Sequence, residues 1–433
     1  MAQTDLSFAE EEHMELMEQL LSRKNLLRAL RRVEENKGSH GVDQMPVECL
    51  RAHLMEHWRD LREAIRKGTY RPSPVRRVEI PKPSGGVRLL GIPTVTDRFI
   101  QQALAQVMTP MFDPNFSEHS YGFRPNRRGH DAVREARAYM KEGYRWVVDM
   151  DLEKFFDKVN HDKLMAKVAE KVKDKRILKL IRRFLQSGVM MNGVVIESGQ
   201  GTPQGGPLSP LLSNIMLDEL DKELEKRGHR FVRYADDCNI YVKTQKAGYR
   251  VKERITRFIE RKLKLKVNRE KTAVDRPWQR KFLGFSFTPH REPKIRVARE
   301  SLKRVKQKIR QLTSRSWSIS MDQRIERINQ YLIGWCGYFA LADTPSVFQD
   351  LDQWLRRRLR MCLWKEWKQP KTRMKRLVSL GVPKEKAFEW ANTRKKYWRI
   401  AHSPILHKTL GIAYWQSRGL RSLKDRYECL RQR

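Results

Sequence analysis

The sequence predicts an α+β chain whose earlier part mixes helices with short strands and whose last part is almost entirely helical. Three observations carry this. Apolar residues recur at helical spacing near the N-terminus, short β-like runs bounded by turn residues fall between about residues 75 and 290, and a helical, strongly basic texture holds from about residue 300.

Taken in order, residues 10 to 36 read as a helix, with Leu16, Leu20, Leu27 and Leu30 on one face and a stop at Asn36-Lys37-Gly38. A second amphipathic helix spans Leu50 to Ile65. Val75 to Ile80 and Val87 to Leu90 form a hairpin around Pro81 to Gly86, where glycine permits turn dihedrals, with Lys82 and Arg88 flanking the turn. Helices are expected at Asp97 to Met111, Gly129 to Glu142, Asp162 to Ala169 and Asp174 to Gln186, and a strand at Arg145 to Met150. A Gly/Pro-rich loop, Gly201 to Pro207, leads into a helix over Leu208 to Arg227. Two β runs follow, Phe231 to Tyr234 and Asn239 to Val242, then a helix from Gly248 to Leu265 and short β pieces around residues 281–287. Pro and charge interrupt the pattern at His290 to Lys294, so a domain break is placed at 292/293.

The chain has 433 residues, enough for two or three domains, and 39% hydrophobic with 9% aromatic residues argues for folded structure throughout. Its 90 Lys+Arg against 51 Asp+Glu leave a net charge of +39, an excess that calls for a polyanion such as nucleic acid. No apolar run reaches the length of a membrane span and no leader is evident, which points away from a membrane and towards the cytoplasm. The five cysteines are scattered without any C-x-x-C pair, so neither a disulfide framework nor a zinc module is supported.

The chemistry is concentrated in carboxylates. Tyr234-Ala235-Asp236-Asp237 lies between two β runs, and another strand ends in Val148-Asp149-Met150-Asp151. Phosphoryl transfer by two Mg²⁺ ions needs carboxylates from separate strand ends, converging so that the ions sit about 3.5 to 4 Å apart. Asp151 with Asp236 would meet that requirement, with Asp237 as a third ligand. Asp149 shares a strand face with Asp151.

These motifs sit in an ordered series: Tyr121-Gly122-Phe123-Arg124-Pro125, Asp151-Leu152-Glu153-Lys154-Phe155-Phe156-Asp157, Gly201-Thr202-Pro203-Gln204-Gly205-Gly206-Pro207, Tyr234 to Asp237, Asn268 to Thr272, and Phe282-Leu283-Gly284-Phe285. The series resembles the reverse transcriptase family over roughly residues 30 to 290. It is most similar to proteins encoded by bacterial group II introns, because Tyr331 to Phe339 and Arg356 to Lys368 resemble their helical thumb, or maturase domain, and Leu26 to Asp43 their N-terminal extension.

The resemblance implies a right-hand polymerase: residues 1–70 as N-terminal extension and start of the fingers, 71–292 as fingers and palm with a small antiparallel sheet, and 293–433 as helical thumb/maturase with a basic C-terminal region. It implies an RNA-directed DNA polymerase that binds group II intron RNA, assists splicing and copies the intron into target DNA. The partners are that RNA, an RNA template with a DNA primer, and dNTPs; monomer and dimer both stay open.

Asp151, Asp236 and Asp237 are the implied catalytic residues. With Leu152 they are the implied ligands of two Mg²⁺ ions. Lys82, Arg88, Phe156, Gln204, Gly205 and Lys271 are implied to bind the dNTP, with Phe156 crowding the sugar 2′ position, Phe155 in the core and Lys271 protonating pyrophosphate. Arg124, Arg356, Arg357, Arg358, Arg360, Lys365 and Lys368 are implied to contact nucleic acid. The zinc-type endonuclease of many relatives has no counterpart up to Arg433, so priming from a pre-existing 3′ end is expected. A free-standing bacterial reverse transcriptase (retron, diversity-generating or CRISPR-linked) and a splicing-only maturase are the alternative readings.

Overall fold

The structure, a computed structural model, describes residues 15–81, 86–191, 194–196, 201 and 205–432, and it divides into two compact units, residues 1–276 and 277–433.

In the first unit the N-terminal helical stretch is broken in two, α1 (Leu16–Leu20) and α2 (Arg23–Glu35). Ser22 makes the break: its hydroxyl accepts from the Asn25 N–H at 3.3 Å, starting a new helix. The expected helical start at residue 10 lies outside the described residues. α3 (Leu50–Arg66) follows, then β1 (Val75–Pro81) and β2 (Val87–Ile92) pair antiparallel, with Ile80 opposite Arg88. Thr94 caps α4 (Val95–Phe112) by accepting from the Asp97 N–H.

Next come α5 (Gly129–Lys141), β3 (Trp146–Met150), the single turn α6 (Phe155–Lys158), α7 (His161–Lys171) and α8 (Lys175–Gln186). Two strands absent from the sequence reading follow, β4 (Val189–Met191) and β5 (Val194–Ile196). Three residues each, they are too short to display alternation. β4 adds to β1 in parallel, giving a sheet of order β2-β1-β4-β5.

α9 (Ser209–Lys226) leads to the hairpin of β6 (Arg230–Tyr234) and β7 (Asp237–Val242), then α10 (Gln245–Phe258) and β8 (Ala273–Asp275). α10 ends short of Leu265 because residues 259–263 widen into a π-turn that stops at Lys264, which is left-handed at φ 57°. The second sheet, β6-β7-β3-β8, is antiparallel throughout. Val148, Phe231 and Ile240 on its inner face are fully buried in one core with Leu212, Ile215, Ile255 and Ile259 from α9, α10 and the π-turn. Burying such side chains contributes roughly 1.5–3 kcal/mol each.

The second unit opens with a hairpin, β9 (Phe285–Phe287) against β10 (Ile295–Val297). The break expected at 292/293 falls in the turn of this hairpin, and the division lies ahead of it at 276/277. Three long helices follow, α11 (Arg299–Leu312), α12 (Met321–Phe339) and α13 (Pro345–Glu366), then shorter ones to α14 (Leu423–Arg431) at the C-terminus. Asp352 of α13 accepts from the Ser422 hydroxyl and the Leu423 and Lys424 N–H groups at 3.0–3.1 Å, capping α14.

Candidate active site

β3 is an interior strand of the antiparallel sheet, with Asp149 opposite Asn239 of β7 and Ala273 of β8. The chain leaves it at Asp151, whose backbone is held from both ends: its N–H donates to Thr272 Oγ1 at 3.1 Å, and its carbonyl accepts from the Asn268 N–H at 2.8 Å. The Asn268–Thr272 segment is thus the strap that fixes Asp151. Leu152 bridges to Val267 and its apolar side chain is buried, so only its carbonyl oxygen could serve a metal.

Tyr234 pairs with Asp237, leaving Ala235 and Asp236 as a two-residue turn. Ala235 takes φ 57°, a conformation that costs a non-glycine residue free energy and needs support. Support comes from behind. Gly122 packs so close that a Cβ there would stand 2.3 Å from the Ala235 nitrogen. Arg233, buried with no exposure, donates to the Ala235 carbonyl at 2.8 Å and to Asn214 Oδ1 at 3.0 Å, while Asp221 accepts from its Nε and Nη2 at 2.7 and 2.5 Å. Asn214 in turn donates to the Gly122 carbonyl at 2.9 Å.

The ladder ends with Met150 opposite Cys238, so Asp151 leaves β3 at the end of the sheet where the Tyr234–Asp237 turn lies, close enough for the Asp236 charge to act on it. Burial raises the Asp151 carboxyl above its ordinary value, Lys271 opposes this, and the charges of Asp236 and Asp149 add to it. Lys271 Nζ stands 3.8 Å from Asp151 Oδ2. Among the described residues no three His, Cys, Asp or Glu side chains stand close enough together to hold a metal ion unaided. In chemistry the carboxylate oxygens suit a hard divalent cation, whose charge would offset the repulsion that Asp236 and Asp149 exert on Asp151.

The other expected residues fall into three groups. Lys82 and Gln204 lie outside the described residues, as does the Arg88 side chain. Phe156 is buried with 8% exposure and meets Phe155 edge-to-face at 5.1 Å; Gly201, at φ 93°, packs against the Phe156 carbonyl. Gly205 packs close against β2, where a Cβ would meet the Gly91 carbonyl at 2.6 Å.

The cations need correction. Arg124 faces inward with its side chain 5% exposed, donating to the Asp113 carboxylate at 2.7 Å and to the carbonyls of Asp113, Ser117 and Ser120. In the second unit Arg360 is buried and donates to the Ala401 carbonyl at 2.8 Å; burial and the charges of Arg356 and Arg357 push it down to about 10. Neither presents its charge to an RNA phosphate. Arg357 lies over the Trp398 ring at 3.9 Å, Arg358 donates to Thr313, and Lys365 donates to the Arg315 carbonyl. Arg356 is half-buried and Lys368 exposed.

Sequence reasoning missed Arg233 and Asp221. The available signal was Arg233 two residues from Phe231, on the same face of the strand, an inward position at which an arginine needs a buried partner.

The chain matches the family "Reverse transcriptase (RNA-dependent DNA polymerase)" over residues 80–287 and "Group II intron, maturase-specific domain" over residues 302–381. It is 34% identical over 306 residues to protein YkfC of Escherichia coli K12, covering 61% of this chain and 79% of that protein. It belongs to the group II intron-encoded reverse transcriptase family. The group II intron-encoded protein LtrA of Lactococcus lactis is 32% identical over 308 residues, 56% of this chain and 51% of LtrA, so this reverse transcriptase spans about half the length of that relative. A putative COX1/OXI3 intron 2 protein of Saccharomyces cerevisiae is 34% identical over 205 residues, 47% of this chain and 24% of that one. As a reverse transcriptase the first unit is a divalent-metal-dependent polymerase in kind, and Asp151 and the Tyr234–Asp237 turn fall within its matched span.

Proposed function

We propose that this reverse transcriptase binds a group II intron RNA, assists its splicing and copies it into DNA at a target site with two Mg²⁺ ions. The observation that carries the reading is the meeting of Asp151 with the Asp236–Asp237 turn at one end of the antiparallel sheet, each held by backbone-directed hydrogen bonds.

Two bound Mg²⁺ ions supply activation of the primer 3′ oxygen and charge neutralisation at the triphosphate. The chain's residues do the rest. Asp151, Asp236 and Asp237 offer carboxylate oxygens, with the Leu152 carbonyl beside them. Phe156, packed edge-to-face on Phe155, sets the wall against the nucleotide sugar, and Lys82, Arg88, Gln204 and Gly205 bind the dNTP. Lys271, 63% exposed and near Asp151, reaches the leaving pyrophosphate and donates a proton there. The exposed basic residues of the second unit, Lys368 among them, take RNA phosphates.

The test pairs two assays on the full chain at one ionic strength. Replacing Asp236 and Asp237 by Ala should bring Mg²⁺-dependent primer extension to background while intron binding and assisted splicing persist. Extension by the double variant would misplace the metal site. Failure of the intact chain to bind or help its neighbouring intron would favour a free-standing polymerase.

A further inference from the structure

The Tyr121–Pro125 motif turns inside out what its composition suggests. Its cation, Arg124, is sequestered, and its apolar residue, Phe123, is 54% exposed. Phe123 also sits at φ 59°, the left-handed region that a bulky residue adopts only when its surroundings enforce it. Neither feature helps the fold: an exposed phenyl ring leaves apolar area in water, and the backbone conformation is strained.

The surroundings enforce it thoroughly. Arg124, next in sequence, is anchored by four hydrogen bonds to Asp113, Ser117 and Ser120. Gly122, just before, is clamped between the Asn214 amide and the back of the Ala235 turn. Phe123 is therefore a rigidly mounted ring pointing into solvent. Its neighbour is Tyr234, ring centroids 6.2 Å apart, two residues ahead of Asp236. Arg128 is exposed on the same loop, and Arg127 lies over the Tyr121 ring at 5.5 Å, so the rim of the platform is cationic.

We propose that Phe123 is an aromatic contact for the primer–template duplex at its polymerising end, packing on a base or sugar face there. The inference rests on the polymerase reading of the Asp236–Asp237 turn. A primer whose 3′ oxygen lies at those carboxylates must pass Tyr234, and the duplex behind that terminus covers the adjoining ring. Aromatic rings are suited to such contacts because they bind every base alike, as a copying enzyme requires. A ring fixed in advance also loses little entropy on binding.

The experiment uses the full chain, a labelled DNA primer on an RNA template, and a heparin trap added with dNTPs so that each enzyme binds once. Phe123→Ala and Phe123→Gly should shorten the trapped products and raise duplex dissociation on the order of tenfold, while Phe123→Trp restores both. The dNTP KM should stay put. Phe123→Gly should also melt no lower than the parent, because glycine is relaxed at φ 59°. Lost processivity with retained stability is an outcome that a merely structural ring could not give. Trapped products of parental length from Phe123→Gly would overturn the proposal, as would a fall in its melting temperature with unchanged duplex dissociation. A parent chain that extends no primer would instead remove the polymerase reading beneath it.

Discussion

Arg233 and Asp221 form an ion pair with both side chains fully buried, and the same guanidinium holds the Ala235 carbonyl of the Tyr234–Asp237 turn. Removing one partner leaves a buried charge alone, so Arg233→Leu should cost about 3–5 kcal/mol, and Arg233→Leu with Asp221→Leu much less. Arg233→Lys keeps the charge without the fork. It should fold, bind primer–template normally and lose single-turnover extension, since only the turn's support is gone. Urea denaturation beside rapid-quench extension reads the split; a Lys variant with parental extension rates would make the pair structural only.

Phe156 gives the second expectation. If Phe156 walls the nucleotide sugar as proposed, Phe156→Val should raise ribonucleotide incorporation relative to deoxynucleotide while dNTP extension persists. Its 8% exposure adds a stability penalty, about 1–3 kcal/mol for the lost ring atoms. Unchanged sugar selectivity in a folded, active variant would assign the ring to the core alone.

The basic face of the second unit is the third. Binding of intron RNA should weaken steeply with salt, and replacing exposed Lys368 together with Lys371 and Lys375 should flatten the slope of log K against log[salt] by roughly 0.7–0.9 per lost contact. Arg360→Ala should act differently: it orphans the Ala401 carbonyl and lowers the melting temperature. An Arg360 variant of full stability with a flattened slope would contradict the buried placement.

A fourth concerns pH. Asp97, buried in the first turn of α4, accepts from the Tyr70 hydroxyl at 2.8 Å, the Thr94 hydroxyl at 2.7 Å and the Ser73 N–H at 3.1 Å, yet burial lifts its carboxyl to about 6. A folded value above the ordinary 3.8 means the folded state binds the proton more tightly. The resulting stability is complete below about pH 4 and lost as pH rises through about 6, on the order of 3 kcal/mol in all. Asp97→Asn should remove that component, so urea midpoints of parent and variant compared across this window should differ in slope. Parallel profiles would mean that the carboxyl titrates as in the unfolded chain.

Much of this was legible in the sequence for a physical reason. Asp151 and the Tyr234–Asp237 turn are read by identity and order, and the long helices by apolar spacing, both local properties. Direction was not legible. Arg124, Arg360 and Arg233 look like any other cation among 90, and only the packing of distant elements shows that each faces inward to carbonyls or a carboxylate. The Ser22 break and the strands β4 and β5 were hidden for the opposite reason, being shorter than the windows in which a period can be seen.

The position of β3 has one more consequence. Val147, Val148 and Asp149 are paired on both sides, with the two valines at 1% and 0% exposure, so their amides should exchange with deuterated solvent only when the whole first unit opens. Asp151 hangs from the end of that doubly paired strand. Heat should therefore extinguish polymerisation together with the global melt of this unit and not before it, with no graded loosening of the carboxylates along the way.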